Sequence, residues 1–276
     1  MQSREQPCRT IAGIRFFGKN VAMIDQEPVL YEVSDRIARI TLNRPEKKNA
    51  LKKEMYISLR ERLLEADQDD GVHVILFAGN GDTFCAGNDI SDFVPDTEPD
   101  EQAEEERRLA VIEYLVCLSD IEKPLIALAN GSAIGVGFTM LLHFDFILAS
   151  PTARFTLPFS NYGLVPEAAS SQLLPALVGH NRAAQMLLLG DTMTADYLHN
   201  IGLVMEVLEP DLLMQRGDQL AATLAAKPNR PLRDSKRLLK RPPESIRERI
   251  LHEGEFFTFY KNSEQTQAIF RSFFSR

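Results

Sequence analysis

Two junctions, each an apolar run followed by a glycine-bearing turn, restrict the fold of this chain more than any other feature. Val74-Ile75-Leu76-Phe77-Ala78 leads into Phe84-Cys85-Ala86-Gly87-Asn88-Asp89-Ile90. Pro124-Leu125-Ile126-Ala127-Leu128-Ala129 leads into Asn130-Gly131-Ser132-Ala133-Ile134-Gly135-Val136-Gly137. A short apolar run that stops at glycine reads as a buried strand entering a βα turn. Glycine there lets a ligand approach the main-chain amides. Either stretch alone is most simply an ordinary turn. The pair in order reads as two sets of bare N–H groups facing one oxyanion. Val136 to Phe144 reads as a buried helix, so the amides near Val136 lie at a helix start, where unpaired N–H groups favour negative charge.

Around these junctions the pattern is α/β. Val29–Val33 and Ile37–Leu42 alternate across Ser34-Asp35-Arg36 as a hairpin. Tyr56, Leu59 and Leu63 predict an amphipathic helix, and Leu109, Ile112 and Val116 predict a second with the same apolar spacing. Alternating strands and helices also suit a dinucleotide-binding sheet, but no G-x-G-x-x-G opens a helix here. From Asp211 onward the pattern is helical, with breaks at Pro228 and before Glu244. This region is rich in phenylalanine (Phe256, Phe257, Phe259, Phe270, Phe273, Phe274), which needs covering by the chain's own core or by another copy. The predicted organisation is an N-terminal extension (1–26), a core (27–210) and a C-terminal helical oligomerisation region (211–276). The acidic run from Asp96 to Glu106 reads as a solvated loop and helix start, with a lid over the site as the alternative.

With 276 residues, 44% hydrophobic and 25% charged, the chain can bury a full core. A net charge of −8 argues against nucleic acid or an anionic membrane as the main partner. Cys8, Cys85 and Cys117 show neither paired nor zinc-like spacing, so no metal is expected and a reducing compartment fits. No run reaches the 18 or so apolar residues of a membrane span, and residues 1–26 lack the apolar stretch of a secretory signal. The expected location is cytoplasmic. The terminal Phe274-Ser275-Arg276 is not the peroxisomal Ser-Lys-Leu signal.

Ile40-Thr41-Leu42-Asn43-Arg44-Pro45, FCAGND, ANGSAIGVG and Phe144-Asp145-Phe146-Ile147-Leu148-Ala149 together resemble, in order and spacing, the crotonase (enoyl-CoA hydratase/isomerase) superfamily. The similarity runs from about Val29 to the C-terminus. It implies a spiral of ββα repeats, a fatty acyl-CoA substrate with no cofactor beyond its coenzyme A, and homotrimers or hexamers built on the helical end. By position, the amides of Asn88 and Val136 are the two donors to the thioester oxygen. Lys47 and Lys48 are placed to meet CoA phosphates. Ala50, Ala86, Asp89, Ile90, Gly135 and Phe159 match positions lining the substrate groove.

Hydratases of this family use two glutamates, and the matching positions here are Thr139 and Phe159. A hydroxyl and a phenyl ring cannot act as general acid and base at neutral pH. The segment Pro158-Phe159-Ser160 through Pro166-Glu167-Ala168-Ala169-Ser170-Ser171 resembles instead the monofunctional Δ3,Δ2-enoyl-CoA isomerases, whose catalytic glutamate follows the proline. Glu167 inherits that role: a single base takes a proton from C2 of a 3-enoyl thioester and returns it to C4. Its apolar flank of Leu164, Val165, Ala168 and Ala169 is expected to raise its basicity. A glutamate after proline is otherwise a helix-terminal acid. A hydratase, or an acyl-CoA-binding protein without turnover, are the alternatives. His143 reads as a satisfied core histidine, and Asp145 as a structural hydrogen-bonding residue.

Overall fold

The computed structural model describes residues 27–90, 101–240 and 244–273. The expected N-terminal extension, Asp96, Glu98 and Phe274 therefore fall outside the described residues. The strands are β1 (Val29–Ser34), β2 (Ile37–Leu42), β3 (Val74–Gly79), β4 (Thr83–Cys85), β5 (Leu125–Ala129), β6 (Ser132–Ile134), β7 (Phe146–Ala149), β8 (Arg154–Thr156), β9 (Met193–Thr194) and β10 (Glu206–Val207). The helices are α1 (Lys53–Gln68), α2 (Glu101–Asp120), α3 (Val136–Thr139), α4 (Ser170–Val178), α5 (His180–Ala184), α6 (Ala195–Asn200), α7 (Pro210–Ala225), α8 (Asn229–Lys240), α9 (Ile246–Lys261) and α10 (Glu264–Phe273).

A six-stranded sheet runs β1-β2-β3-β5-β7-β10 and a four-stranded sheet β4-β6-β8-β9. The strand pairs β3/β4, β5/β6 and β7/β8 each give their first strand to the large sheet and their second to the small one. Each pair is followed by a helix, so the chain winds forward one ββα unit at a time. Neighbouring units pair in parallel: Ile75 faces Leu125 between β3 and β5, and Cys85 faces Ala133 between β4 and β6. The apolar runs Val74–Ala78 and Leu125–Ala129 are buried throughout because both faces of the large sheet are covered. The main core lies on one face, while Val74, Leu76, Ile126, Leu128 and Leu148 on the other pack with Leu213, Leu220, Ala221 and Leu224 of α7. The C-terminal helical stretch thus begins as part of the body.

The hairpin forms as read, with Val33 opposite Ala38. Helix α1 buries Tyr56, Leu59 and Leu63, also as read. Helix α2 exists but turns the other way. Its buried face is Ala110, Tyr114, Cys117 and Leu118, while Leu109 (43% exposed), Ile112 and Val116 (54%) face outward. Both sets recur at helical spacing; Tyr114 wins the core by packing on Tyr56 with ring centroids 5.5 Å apart. At the C-terminus, α9 buries none of its residues, and Phe257 is 70% exposed. The chain's own core leaves Phe257, Phe259 and Phe270 exposed.

Candidate active site

The two glycine turns meet because β4 and β6 are parallel neighbours that end on the same side. The first is stitched to the loop before α1: Ala86 N donates to Lys48 O (3.0 Å), Leu51 N to Gly87 O (2.7 Å) and Asp89 N to Leu51 O (2.9 Å). The Asn88 amide is skipped in this alternation. At the second turn Gly135 adopts φ 54°, ψ −123°, open only to glycine, and so redirects the chain from β6 into α3. A Cβ on Gly137 would stand 2.3 Å from Cys85 O, so glycine is what lets the two turns close on each other. Among the described residues neither the Asn88 nor the Val136 amide donates a hydrogen bond. The helix expected over Val136–Phe144 is α-helical only to Thr139 and tightens to 3₁₀ over Met140–His143. The donor at this end is a free N–H rather than the end of a long dipole.

Glu167 reaches this place from β8 by way of a 3₁₀ turn, Ser160–Tyr162, and a segment without regular secondary structure that runs to Pro166. Ala168 (φ 53°) and Ala169 (φ 56°) then turn left-handed before α4 begins. For residues with a Cβ this costs roughly 1–2 kcal/mol each, and such strain persists only where the surroundings impose it. Ser170 clamps the turn, its N and Oγ both donating to Glu167 O (2.9 and 2.6 Å). His143 Nε2 lies 3.0 Å from Ala168 O. A carbonyl only accepts, so that nitrogen carries the proton.

The Glu167 carboxylate is held by one side chain. Thr139, fully buried and three residues into α3 from Val136, donates its hydroxyl to Oε1. At 1.5 Å rise per residue, this sets the contact only about 4.5 Å along the helix axis from the Val136 position. Oε2 is buried with no hydrogen-bond partner among the described residues. Burial pushes the Glu167 carboxyl above its ordinary range, and the Thr139 hydrogen bond opposes the rise. Its charge is felt at Cys85, which burial pushes up to about 12. A carboxylate made more basic, with one oxygen committed and the other free, beside two free amides, is equipped to move a proton while an oxyanion is held.

The remaining sequence candidates surround this centre unevenly. Lys47 and Lys48 are exposed on the loop whose Lys48 carbonyl accepts from Ala86, so both cations stand beside the first turn. Ala50 and Ala86 are partly buried there, and Ile90 is exposed at its far end. Asp89 pairs with Arg44 at 2.7 Å, and Arg44 also donates to Ala50 O, so this aspartate braces the loop. Phe159 packs into the main core. Sequence reasoning missed two supports. Buried Asn49, at positive φ, accepts from Arg44 N and donates to Asn80 O and Thr83 O. Buried Tyr56 donates to the Asn88 side chain at 2.6 Å; its place in the apolar stripe of α1 concealed the polar end. Asp145 is structural as read, accepting from Leu125 N (2.8 Å) and pairing with Lys236 (2.7 Å). A cavity of about 360 Å³ lies elsewhere, between the end of α2 and Lys236, Lys240 and Phe256. Of its two lysines, Lys236 pairs with Asp145 and Lys240 donates to Ser119 O.

The enoyl-CoA hydratase/isomerase family model matches residues 32–273. The chain belongs to the enoyl-CoA hydratase/isomerase family. It is 37% identical over 183 residues to the mouse enoyl-CoA delta isomerase 3, peroxisomal, covering 66% of this chain and 57% of that protein. The chain thus spans little more than half the length of that relative. A crotonyl-CoA hydratase from Syntrophomonas wolfei is 32% identical over 76% of this chain and 80% of its own length. Among solved structures, a putative enoyl-CoA hydratase/carnithine racemase from Magnetospirillum magneticum superposes with a TM-score of 0.83 at 37% identity, covering 91% of this chain and 96% of that one. The spiral of ββα units described above is therefore the crotonase fold.

Proposed function

We propose that this enoyl-CoA hydratase/isomerase family member shifts the double bond of a 3-enoyl-CoA to 2-trans-enoyl-CoA, with Glu167 as its one base. The observation that carries the reading is the state of Glu167: partly buried, made more basic, fixed through Oε1 by Thr139, and free at Oε2. Oε2 takes a proton from C2, and electrons move into the thioester, making a dienolate whose oxygen accepts from the Asn88 and Val136 amides. The same carboxyl then gives the proton to C4, and the C3–C4 double bond becomes C2–C3. Nothing is consumed. Lys47 and Lys48 meet the CoA phosphates in this reading. Hydration needs a second acid–base group, and the positions where the resemblance puts it hold buried Thr139 and Phe159. The similarity to a hydratase keeps that activity as the competing reading.

The test is to assay the purified protein side by side with 3-enoyl-CoA and 2-enoyl-CoA. Isomerisation should exceed hydration by a wide margin in kcat/KM. A hydration value equal to or above it would overturn the assignment.

The same proposal includes self-association as a trimer or a dimer of trimers, supported by the uncovered α9 and the outward stripe of α2. Cys85 and Cys117 are free thiols, which supports a reducing compartment. Among the described residues no helix is long and apolar enough to cross a membrane. We place the protein in the cytoplasm, and the peroxisomal name of the mouse relative makes organelle fractionation the check.

A further inference from the structure

Thr139 and His143 are four residues apart on one helical segment, α-helical up to Thr139 and 3₁₀ from Met140 to His143, and both side chains reach the segment that carries Glu167. They grip the same short stretch of chain: Thr139 holds the Glu167 carboxylate and His143 holds the next carbonyl, that of Ala168. On the reading that Glu167 is the base, we propose that His143 is a positioning residue, which fixes the left-handed turn after Glu167 and so keeps its carboxylate on Thr139.

The turn's two ends are already tied to α4. Glu167 O accepts from Ser170 N and Oγ, and Ala169 O accepts from Gln172 N and Leu173 N. Between them the Ala168 carbonyl is held by the imidazole. This bond fixes the rotation of the peptide joining two residues that both sit at positive φ without being glycine. Without it the turn can relax toward ordinary backbone angles, and the side chain one residue upstream moves with it. The neighbours of His143, Leu141 and Leu142, are buried, and an unbonded N–H in such a place is unfavourable. Burial holds the ring's pKa below its ordinary value, which favours the neutral ring that donates to Ala168 O through Nε2.

The experiment compares His143→Gln, whose amide nitrogen reaches the position of Nε2, with His143→Asn, which falls short of it, and with His143→Leu. Each is assayed with 3-enoyl-CoA beside Glu167→Gln, and thermal unfolding is recorded for all. His143→Leu and His143→Asn should lose about 10–100-fold in kcat, the scale of a sub-ångström to ångström misplacement. Their KM should change by less than about threefold, because acyl-CoA contacts elsewhere are untouched. His143→Gln should recover most of kcat. Adding Ala168→Gly to His143→Leu should restore part of it, since glycine adopts positive φ without the Cβ penalty. A merely structural histidine would lower the unfolding temperature and leave kcat of the folded protein alone. If His143→Leu does not fold, the Gln/Asn pair decides: equal kcat for the two overturns the inference. If Glu167→Gln is inactive while His143→Asn keeps wild-type kcat, only the role of His143 falls. If Glu167→Gln stays active, the reading of Glu167 itself falls.

Discussion

Thr139 and Glu167, 28 positions apart in sequence, are joined by a hydrogen bond from the threonine hydroxyl to Oε1, and this leaves Oε2 as a buried carboxylate oxygen with no described partner. In the proposed reading, the position that the resemblance matches to a hydratase glutamate holds Thr139, which serves Glu167 instead.

That bond sets the pH response. A base acts when ionised, so activity is lost as pH falls through its folded-state pKa, and burial has moved that point above the ordinary carboxylate range. Thr139→Val keeps the volume, removes the donor, and leaves both oxygens unpaired. The acid limb of kcat/KM should move to higher pH by about one unit, the equivalent of a hydrogen bond to a charged group worth roughly 1.5 kcal/mol. A limb that stays put or moves down would show that Glu167 is not the group being titrated.

Glu167→Gln should cut kcat by about 10²–10⁴-fold, with acyl-CoA affinity within a few-fold, because the amides of Asn88 and Val136 remain. Retention of more than about a tenth of kcat would make Glu167 a helix-terminal acid. Adding Phe159→Glu should not restore isomerisation. Stability should move the opposite way. A raised pKa means the folded state binds the proton more tightly than the unfolded one, so the ionised group costs stability at neutral pH and the cost disappears below the unfolded value. Glu167→Gln should unfold at or above the wild-type temperature at pH 7–8, read by circular dichroism.

The ion pair between buried Lys236 and the more exposed Asp145 ties α8 to the start of β7. Burial first of all brings the Lys236 pKa down to about 8, against the pull of Asp145. Lys236→Met strands the carboxylate, leaving it the Leu125 amide. Since Asp145 is partly exposed, a loss below the usual 3–5 kcal/mol for a broken buried pair, about 2 kcal/mol, is expected in urea unfolding. Lys236→Met with Asp145→Asn should recover more than half of it. A depressed lysine pKa also means that the folded state holds fewer protons than the unfolded one between about 8 and 10.5. Wild-type stability should gain from this group as pH rises through that window.

Light scattering at micromolar concentration should give a trimer or hexamer. Phe257→Ser with Phe259→Ser on α9 should shift it toward smaller species without unfolding the body, since both rings are exposed in the single chain. A strict monomer in the wild type would count against self-association.

Much of the fold was legible because glycine turns and apolar runs are local signals: β3, β5 and the turns after β4 and β6 fall where the residues put them. The outward face of α2 was not, because periodicity marks two stripes and does not say which meets Tyr56. At the site, motif position named Glu167 and the amides of Asn88 and Val136 as candidates. It did not name their supports. Thr139 with Glu167 and His143 with Ala168 are partners 28 and 25 positions apart that no spacing rule connects. The left-handed turn was hidden because it is built on alanines, where glycine or asparagine would have announced it.

The two free N–H groups beside Glu167 belong to peptide bonds, and that gives them an unusual immunity. Any residue but proline at 88 or 136 supplies the same donor, provided Gly135 and Gly137 keep the path of the chain. On the proposed reading, variation can therefore rewrite the base, the groove and the acyl end of the pocket one side chain at a time while the amide half passes unchanged. In that reading the scaffold separates what is inherited from what is negotiable: new chemistry begins with the backbone donors already in place and needs only a different group facing them.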